Sequence, residues 1–294
     1  MQQSFSDIEY TNKKRKTRKE LFLEEMEKLV PWKAWLKIIE PYYPKAGNGL
    51  RPIGLEKMLR MYLVQNWFSP SDEMTEDSIY DVQSIRRFVG VNLSQENAPD
   101  ATTLLRFRRL LEDNKLTEKL FNQLARLLQS KGYIVREGTI VDATIIEAPT
   151  SKKNADKQRD SEMSWTKKNG KPHFGMKMHI GVDKKNGLLH SVETTAANAH
   201  DITKAAELLH GDEEEVYGDA GYIGLDLREE MEDNVELRYQ INLKRSMVTR
   251  LPEGAYKEQV KAEERAKAHV RARVEWPFHI MKNLFGLTKS VTRV

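Results

Sequence analysis

The stretch GTIVDATIIEAPTSKKN, residues 138–154, decides the fold of the second half of this chain. Its segment 140–146 is mostly β-branched and apolar, which predicts a buried strand. Asp142 interrupts that strand. Burying a lone ionised carboxylate costs more free energy than so short a strand recovers, so Asp142 needs a metal ion, a cation or a hydrogen-bond network as a partner. Taken alone, Asp142 is better explained as a strand-end residue turned towards solvent, and two further carboxylates change that interpretation.

The periodicity of the sequence differs on the two sides of this stretch. From 20 to 135, apolar residues recur at helical spacing between breaks such as Pro31, Pro41 and Pro70, which predicts an all-α N-terminal domain. After Gly138 we expect strands at 139–147, 174–183, 188–196, 215–219 and 237–243, a polar loop at 150–172, and helices at 201–209, 225–232 and from 256 to about 284. This order predicts an α/β domain with a ribonuclease-H-like fold over 136–294, a mixed five-stranded sheet flanked by helices.

Composition narrows the classes of protein. The chain has 294 residues, of which 39% are hydrophobic, and it has no cysteine. Disulfides, thiolate nucleophiles and cysteine zinc sites are therefore excluded. No apolar run approaches the ~20 residues of a membrane span, and the N-terminus lacks the apolar core of a signal peptide. We expect a cytoplasmic protein without a membrane partner.

Basic residues cluster at both ends of the chain. Residues 13–19 read KKRKTRK, and residues 244–294 hold twelve Lys or Arg against five Asp or Glu, a local charge of 12 − 5 = +7. Such clusters favour a polyanion such as nucleic acid as the partner. We expect 1–19 to be a disordered basic arm that contacts phosphates, although an inert tail or a localisation signal would have the same composition. Its contact residues would be Lys13, Lys14, Arg15 and Lys16.

A short helix after Asp100 is a second candidate for DNA contact. Residues 99–103 offer capping side chains, and Arg106, Arg108 and Arg109 follow on the helix. A capped, arginine-rich helix suits the recognition helix of a helix-turn-helix. A solvated arginine face on a packing helix fits the same pattern, and both alternatives stay open for Arg106.

Three carboxylates are expected to converge. In the predicted order of elements the first and fourth strands are central neighbours, so Asp142 and Asp219 would meet, and the last helix could add Glu275. Arg271 and Lys282 share a stripe with Glu275 if that helix is continuous. Pro277 predicts a kink or a helix start there.

Three converging carboxylates raise each other's pKa unless a cation lies between them. Hard oxygen ligands favour Mg²⁺ or Mn²⁺, and two such ions suit in-line phosphoryl displacement. The pair His200-Asp201 could extend a metal site, but we favour Asp201 as a helix cap.

Motifs along nearly the whole chain resemble bacterial insertion-sequence transposases with a DDE triad, of the group named after insertion sequence five. The motifs that carry the resemblance are PWKAWLKIIEPYYPK (31–45), RPIGLEKMLRMYLVQNWF (51–68), PDATTLLRFRRLLE (99–112), GTIVDATIIEAPTSKKN (138–154), HFGMKMHIGVD (173–183), TTAANAHD (194–201), VYGDAGY (216–222) and RARVEWPF with MKNLFG (271–286).

The resemblance implies roles for particular residues. Asp142, Asp219 and Glu275 would be the catalytic, metal-binding triad of 136–294, with two Mg²⁺ or Mn²⁺ ions. Arg271 and Lys282 would face DNA. The domain 20–135 would serve DNA binding and assembly. A homo-oligomer on double-stranded DNA, at the bacterial nucleoid, would bind terminal inverted repeats. It would cleave by a metal-activated water and transfer the freed 3′-hydroxyl strand into target DNA.

Two other functions remain open at this point. One is a catalytically inactive or truncated DNA-binding relic that represses, and the other is a metal-dependent, structure-selective nuclease. Chains of the resembled family continue past the position of Val294 with an apolar helix-forming segment. Leu284, Phe285 and Leu287 lie close to the end of the sequence, and apolar side chains there need cover. We therefore expect a shortened copy with the missing segment encoded downstream, and a natural short variant is the alternative.

Overall fold

A computed structural model describes residues 13–47, 51–149, 160–168, 170–232 and 236–289. The chain divides into two compact units, Met1–Arg126 and Leu127–Val294. No helix in the described ranges is both long and apolar enough to cross a lipid bilayer.

The N-terminal unit is helical, as predicted. In its described part the α-helices are α1 (Arg18–Leu29), α2 (Trp32–Ile39), α3 (Leu55–Phe68), α4 (Asp72–Asp81), α5 (Gln83–Val89), α6 (Ala101–Asp113) and α7 (Leu116–Ser130). Thr17 caps α1, since its side chain accepts from Glu20 N and the Glu20 side chain accepts from Thr17 N. The predicted arm therefore ends before Arg18, and its residues 1–12 lie outside the described residues. Helices α4 and α5 are separate because Val82 between them has an extended backbone (φ −109°, ψ 101°).

One apolar core holds this unit together, and it contains one buried cation. Fully buried members of the core include Ile39, Met58, Leu59, Ile79, Leu104 and Leu111. Arg108 is 7% exposed. Its Nη2 lies 2.5 Å from Asp72 Oδ1 and 3.3 Å from Gln65 Oε1. Arg108 is thus a structural residue, whereas Arg106 and Arg109 on the same helix are exposed.

The C-terminal unit contains a mixed sheet of six strands in the part of the chain that is described. The strands are β1 (Gly138–Glu147), β2 (Ser164–Lys168), β3 (Lys171–Asp183), β4 (Leu189–Ala196), β5 (Glu215–Gly218) and β6 (Arg238–Ile241). Their order is β2-β3-β1-β5-β6, with β4 also paired to β3. The prediction of five strands was wrong because β2 lies in the expected polar loop. It is a charged edge strand, SWTKK, held by pairing with the start of β3. Residues 150–159 of that loop lie outside the described residues.

Apolar side chains of β1 alternate between the two faces of the sheet. Ile140 packs on one face with Ile180, Val274 and Phe278. Val141 packs on the other face with Val216, Leu208, Tyr222 and Leu225. Both faces of β1 are therefore covered, which explains its nearly continuous apolar sequence.

The helical segments of this unit are shorter than predicted. The expected helix at 201–209 is two 3₁₀ turns, Asp201–Lys204 and Ala206–Leu208, and the one at 225–232 is the turns Leu225–Leu227 and Glu229–Met231. In each segment the backbone closes bonds between residues i and i+3, such as Leu227 N to Gly224 O at 3.1 Å. The cap of the first turn is His200, without a side-chain cap bond, so the assignment of Asp201 as a helix cap was wrong.

The long final helix is interrupted, as Pro277 predicted. A short helix α8 (Arg245–Thr249) precedes α9 (Ala255–Arg271), which gives way to a 3₁₀ turn at Ala272–Val274. A new α-helix, α10 (Glu275–His279), then starts with Pro277 as its third residue, and a π turn, Ile280–Leu284, follows. Glu275 and Lys282 therefore do not lie on one regular α-helical stripe.

Candidate active site

Asp142 lies in the middle of β1, between β3 and β5. Its antiparallel partner on β3 is Ile180. The parallel ladder of β1 with β5 ends at the pair Ile140 and Tyr217, and Asp142 and Asp219 each follow that pair by two residues. Parallel strands carry side chains in step along a shared ladder, so the two carboxylates leave the sheet at neighbouring positions.

The Asp142 side chain is only 17% exposed. Its Oδ1 accepts from Ala143 N at 2.7 Å, and its Oδ2 lies 3.5 Å from Arg271 Nη2. Arg271, the last residue of α9, also donates through Nη1 to Asn242 Oδ1 at 3.1 Å. The guanidinium thus links β1 to the segment after β6, and it pairs with Asp142 rather than with Glu275.

The pKa of Asp142 is raised to about 6, chiefly by burial and in smaller part by the negative charges of Asp219 and Glu275. The Ala143 N–H and the Arg271 guanidinium act in the opposite direction. A carboxyl whose pKa is raised by both burial and neighbouring acids is a common feature of functional sites. The structure thus brings the three predicted acids into one electrostatic environment.

The three acids are held by different local structures. Asp219 caps the 3₁₀ turn Ala220–Tyr222, because its Oδ1 accepts from Gly221 N at 2.7 Å. Glu275 is the first residue of α10 and is exposed. Asp142 is therefore fixed by the sheet, Asp219 by a turn, and Glu275 by its place on the helix.

Lys282 lies against the same strand as Asp142, three residues further along. Its Nζ donates to Ile145 O at 3.0 Å. Burial lowers the pKa of Lys282, and nearby Lys168 lowers it further, while Glu147 opposes this. Lys282 is thus bound to the backbone of β1 rather than extended into solvent.

The other predicted DNA contacts lie in the N-terminal unit. Lys13 pairs with Glu20, and Lys16 Nζ lies 2.6 Å from Glu24 Oε1. Lys14 and Arg15 are exposed, as is Arg106 on α6. Only part of the predicted basic surface is therefore presented without an acidic partner in contact.

Tyr222 and Asn242 are site residues that sequence reasoning did not single out. Tyr222 lies within the motif at 216–222, where a tyrosine is equally expected as a core residue. Asn242 follows β6, and a single asparagine after a strand predicts no function. What links Asn242 to the site is the hydrogen bond that it accepts from Arg271.

The side chains fit a hard divalent cation in chemistry, although they do not form a closed cage. Among the described residues, no three His, Asp or Glu side chains are close enough together to hold a metal ion. The negative charge of the Asp142, Asp219 and Glu275 carboxylates nevertheless exceeds the positive charge of the Arg271 guanidinium beside them. The Tyr222 hydroxyl is buried and finds no hydrogen-bond partner within the described ranges. An orphaned buried polar atom beside excess negative charge is what a site for Mg²⁺ or Mn²⁺ would leave.

An α/β domain with acids on neighbouring parallel strands, just beyond the end of their shared ladder, belongs to the class of folds suited to metal-dependent phosphodiester chemistry. Comparison with protein families makes this specific: residues 134–293 match the transposase DDE domain and residues 11–110 match the transposase domain DUF772. The first match covers more than half of the 294 residues, and the chain belongs to the DDE transposase family. A search of solved structures gave no significant match.

Membership in the family bears on the predictions from sequence. It supports a DNA transposase, with DNA as partner and divalent metal ions as the usual cofactors of the family. The mixed sheet with its flanking helices is compatible with a ribonuclease-H-like DDE domain.

Proposed function

We propose that this protein is an insertion-sequence transposase of the insertion-sequence-five group, with Asp142, Asp219 and Glu275 as its catalytic and metal-binding acids. The observation that carries the proposal is the position of Asp142 and Asp219, each two residues beyond the last pair, Ile140 and Tyr217, of the parallel ladder between β1 and β5. The raised pKa of Asp142, to which Asp219 and Glu275 contribute, supports it. Residues 1–19 would act as a basic arm, 20–135 would bind DNA and assemble a homo-oligomer, and 136–294 would be catalytic.

The reaction would proceed in two successive displacements at phosphorus. In the first, a water oxygen bonds to the phosphorus at the transposon end, and the bond from that phosphorus to the 3′-oxygen breaks. In the second, the freed 3′-hydroxyl attacks a phosphorus in target DNA and displaces the target's own 3′-oxygen. Each step is an in-line displacement whose rate depends on position and on charge stabilisation.

Residues around the triad would hold these acids in position. Arg271 would fix the Asp142 carboxylate and, through Asn242, its distance from the end of β6. Lys282, tied to Ile145 O, would keep a positive charge beside β1 for a DNA phosphate. One or two divalent ions, when bound, would supply charge neutralisation and water activation; Asp142, Asp219 and Glu275 would hold them.

End-specific cleavage and joining test the proposal. The substrate is a labelled duplex carrying the terminal inverted repeat that flanks the gene, incubated with Mg²⁺ and compared with a scrambled duplex of equal length. We expect cleavage only at the repeat end, followed by joining to target DNA. Cleavage of branched duplexes irrespective of sequence would favour a structure-selective nuclease, and binding without cleavage would favour a repressor relic. Light scattering of the DNA complex would measure the oligomeric state.

A further inference from the structure

A further carboxylate lies next to the candidate active site, just after β4. The Oδ1 of Asp201 lies 2.8 Å from Lys177 Nζ. This contact is an ion pair without hydrogen-bond alignment, and Lys177 directs its hydrogen bond to Ala199 O at 2.6 Å. Asp201 caps no helix, so the presence of this acid needs another explanation, and its neighbours provide one.

Asp201 and Asp219 approach the same glycine. A Cβ added to Gly221 would lie 2.9 Å from Asp219 Oδ1 and 3.7 Å from Asp201 Oδ2. Two carboxylates this near to one point repel each other. The ion pair with Lys177 neutralises the charge of Asp201.

The buried Tyr222 hydroxyl is a second, independent observation that indicates a ligand beside Asp201 and Asp219. Tyr222 is 0% exposed, and its hydroxyl has no hydrogen-bond partner within the described ranges. Burial raises the pKa of Tyr222, and the charges of Asp142, Asp201 and Asp219 raise it further. An unsatisfied buried hydroxyl destabilises the folded state. The hydration water of a cation bound by these carboxylates would remove that cost.

We propose that Asp201 is a fourth acidic residue of this site, which exchanges its ion pair with Lys177 for a share in holding a divalent cation. The inference rests on the proposed function, because the cation is the one assigned to Asp142 and Asp219. Lys177 then serves as the counter-ion of the metal-free protein.

Binding of Mn²⁺, followed through the electron paramagnetic resonance signal of the free ion, tests the assignment without any reference to activity. We expect Asp201→Asn to weaken Mn²⁺ binding about tenfold or more, as loss of groups around a metal commonly does. The matched control is Asp212→Asn. Asp212 also forms one ion pair, 2.9 Å from Arg136 Nη1, and its substitution should leave Mn²⁺ affinity unchanged.

Thermal unfolding of Lys177→Met provides a second readout. With Asp201 left unpaired, the metal-free variant should melt below the wild type, and saturating Mn²⁺ should raise its melting temperature by more than it raises that of the wild type. A ligand that binds only the folded state stabilises it by mass action. If Mn²⁺ raised the melting temperature of Lys177→Met by the same amount as that of the wild type, or by less, the proposed exchange of Lys177 for a cation at Asp201 would be contradicted.

If Asp201 only anchors Lys177, Asp201→Asn will lower metal-free stability and leave Mn²⁺ affinity unchanged, which overturns the inference. Asp142→Asn separates this failure from failure of the proposed function. If Asp142→Asn weakens Mn²⁺ binding and Asp201→Asn does not, only the fourth acid is wrong. If neither variant affects binding, the assignment of the metal site itself is wrong.

Discussion

Replacing Asp142 by Asn should stabilise the metal-free protein while it abolishes cleavage. The pKa of this carboxyl is about 6 in the folded chain against an ordinary value of 3.8. Ionising Asp142 in the folded protein is therefore about 3 kcal/mol less favourable than in the unfolded chain. That difference already includes the attraction between Asp142 and Arg271. Asn leaves the guanidinium without this partner, so we expect a net gain of about 1–3 kcal/mol, or roughly 2–10 °C in melting temperature for a unit of this size.

The sign of the pH dependence follows from the raised pKa. Below pH 3.8, the pKa of Asp142 in the unfolded chain, this carboxyl is protonated in both the folded and the unfolded state. The free energy of unfolding of the wild type is then not reduced by a buried charge and lies close to that of Asp142→Asn. That stability is lost as the pH rises through about 6, because the folded chain then carries the buried charge. Urea unfolding in EDTA at pH 8 and at pH 4 should show a large difference between the two proteins at pH 8 and a small one at pH 4.

Asp183→Asn is the matched control for that experiment. Asp183 is also a buried acid, on the neighbouring strand β3, and is 1% exposed. Its carboxylate accepts four backbone hydrogen bonds, from Val135 N, Arg136 N, Lys185 N and Asn186 N. Asp183→Asn should therefore lower the free energy of unfolding by about 1–3 kcal/mol. Destabilisation of the metal-free protein by Asp142→Asn at pH 8, comparable to that of the control, would refute the reasoning.

Three further predictions concern acid sensitivity, packing and DNA affinity. Burial lowers the pKa of His190 to about 4. As the pH falls from 7 to 5, the free energy of unfolding of the wild type should therefore decrease by about 2 kcal/mol relative to that of His190→Gln in urea unfolding; parallel pH profiles of the two proteins would contradict this. Arg108→Met should lower the free energy of unfolding by about 2 kcal/mol because the partly buried Asp72 carboxylate loses its cation, whereas exposed Arg106→Ala should leave it unchanged, and equal effects would refute the distinction. The double variant Lys14→Ala/Arg15→Ala should reduce the slope of log affinity for DNA against log salt by about 2; an unchanged slope would show that neither residue contacts phosphate.

The sequence predicted the parts of the fold that depend on local pattern. The β-branched run containing Asp142 is β1, and the turn after Asp183 joins β3 to β4 with Gly187 at φ +68°, a conformation that glycine adopts without strain. Pro277 marked a real change of helix, because a proline cannot donate the backbone hydrogen bond that a continuous helix needs.

What could not be predicted depends on contacts between distant segments. β2 is polar and exposed, and only its pairing with β3 makes it a strand. Arg271 carries the same sequence signal whether it faces solvent or Asp142. The location of Asp201 beside Asp219 arises from a turn around Gly221 that has no periodicity to detect.

The central claim is that Asp142, Asp219 and Glu275 act together on a DNA phosphodiester. The most direct measurement is the rate of Mg²⁺-dependent cleavage of repeat-end DNA by Asp142→Asn, Asp219→Asn and Glu275→Gln, with DNA affinity measured in parallel. Glu258→Gln on α9 is the control, since Glu258 pairs only with Lys261 in the described structure, at 2.7 Å. We predict that each triad variant binds DNA nearly as well as the wild type and does not cleave it, because a ligand that acts in the transition state is lost, while Glu258→Gln cleaves normally. Cleavage at a near wild-type rate by any of the three variants would contradict the account.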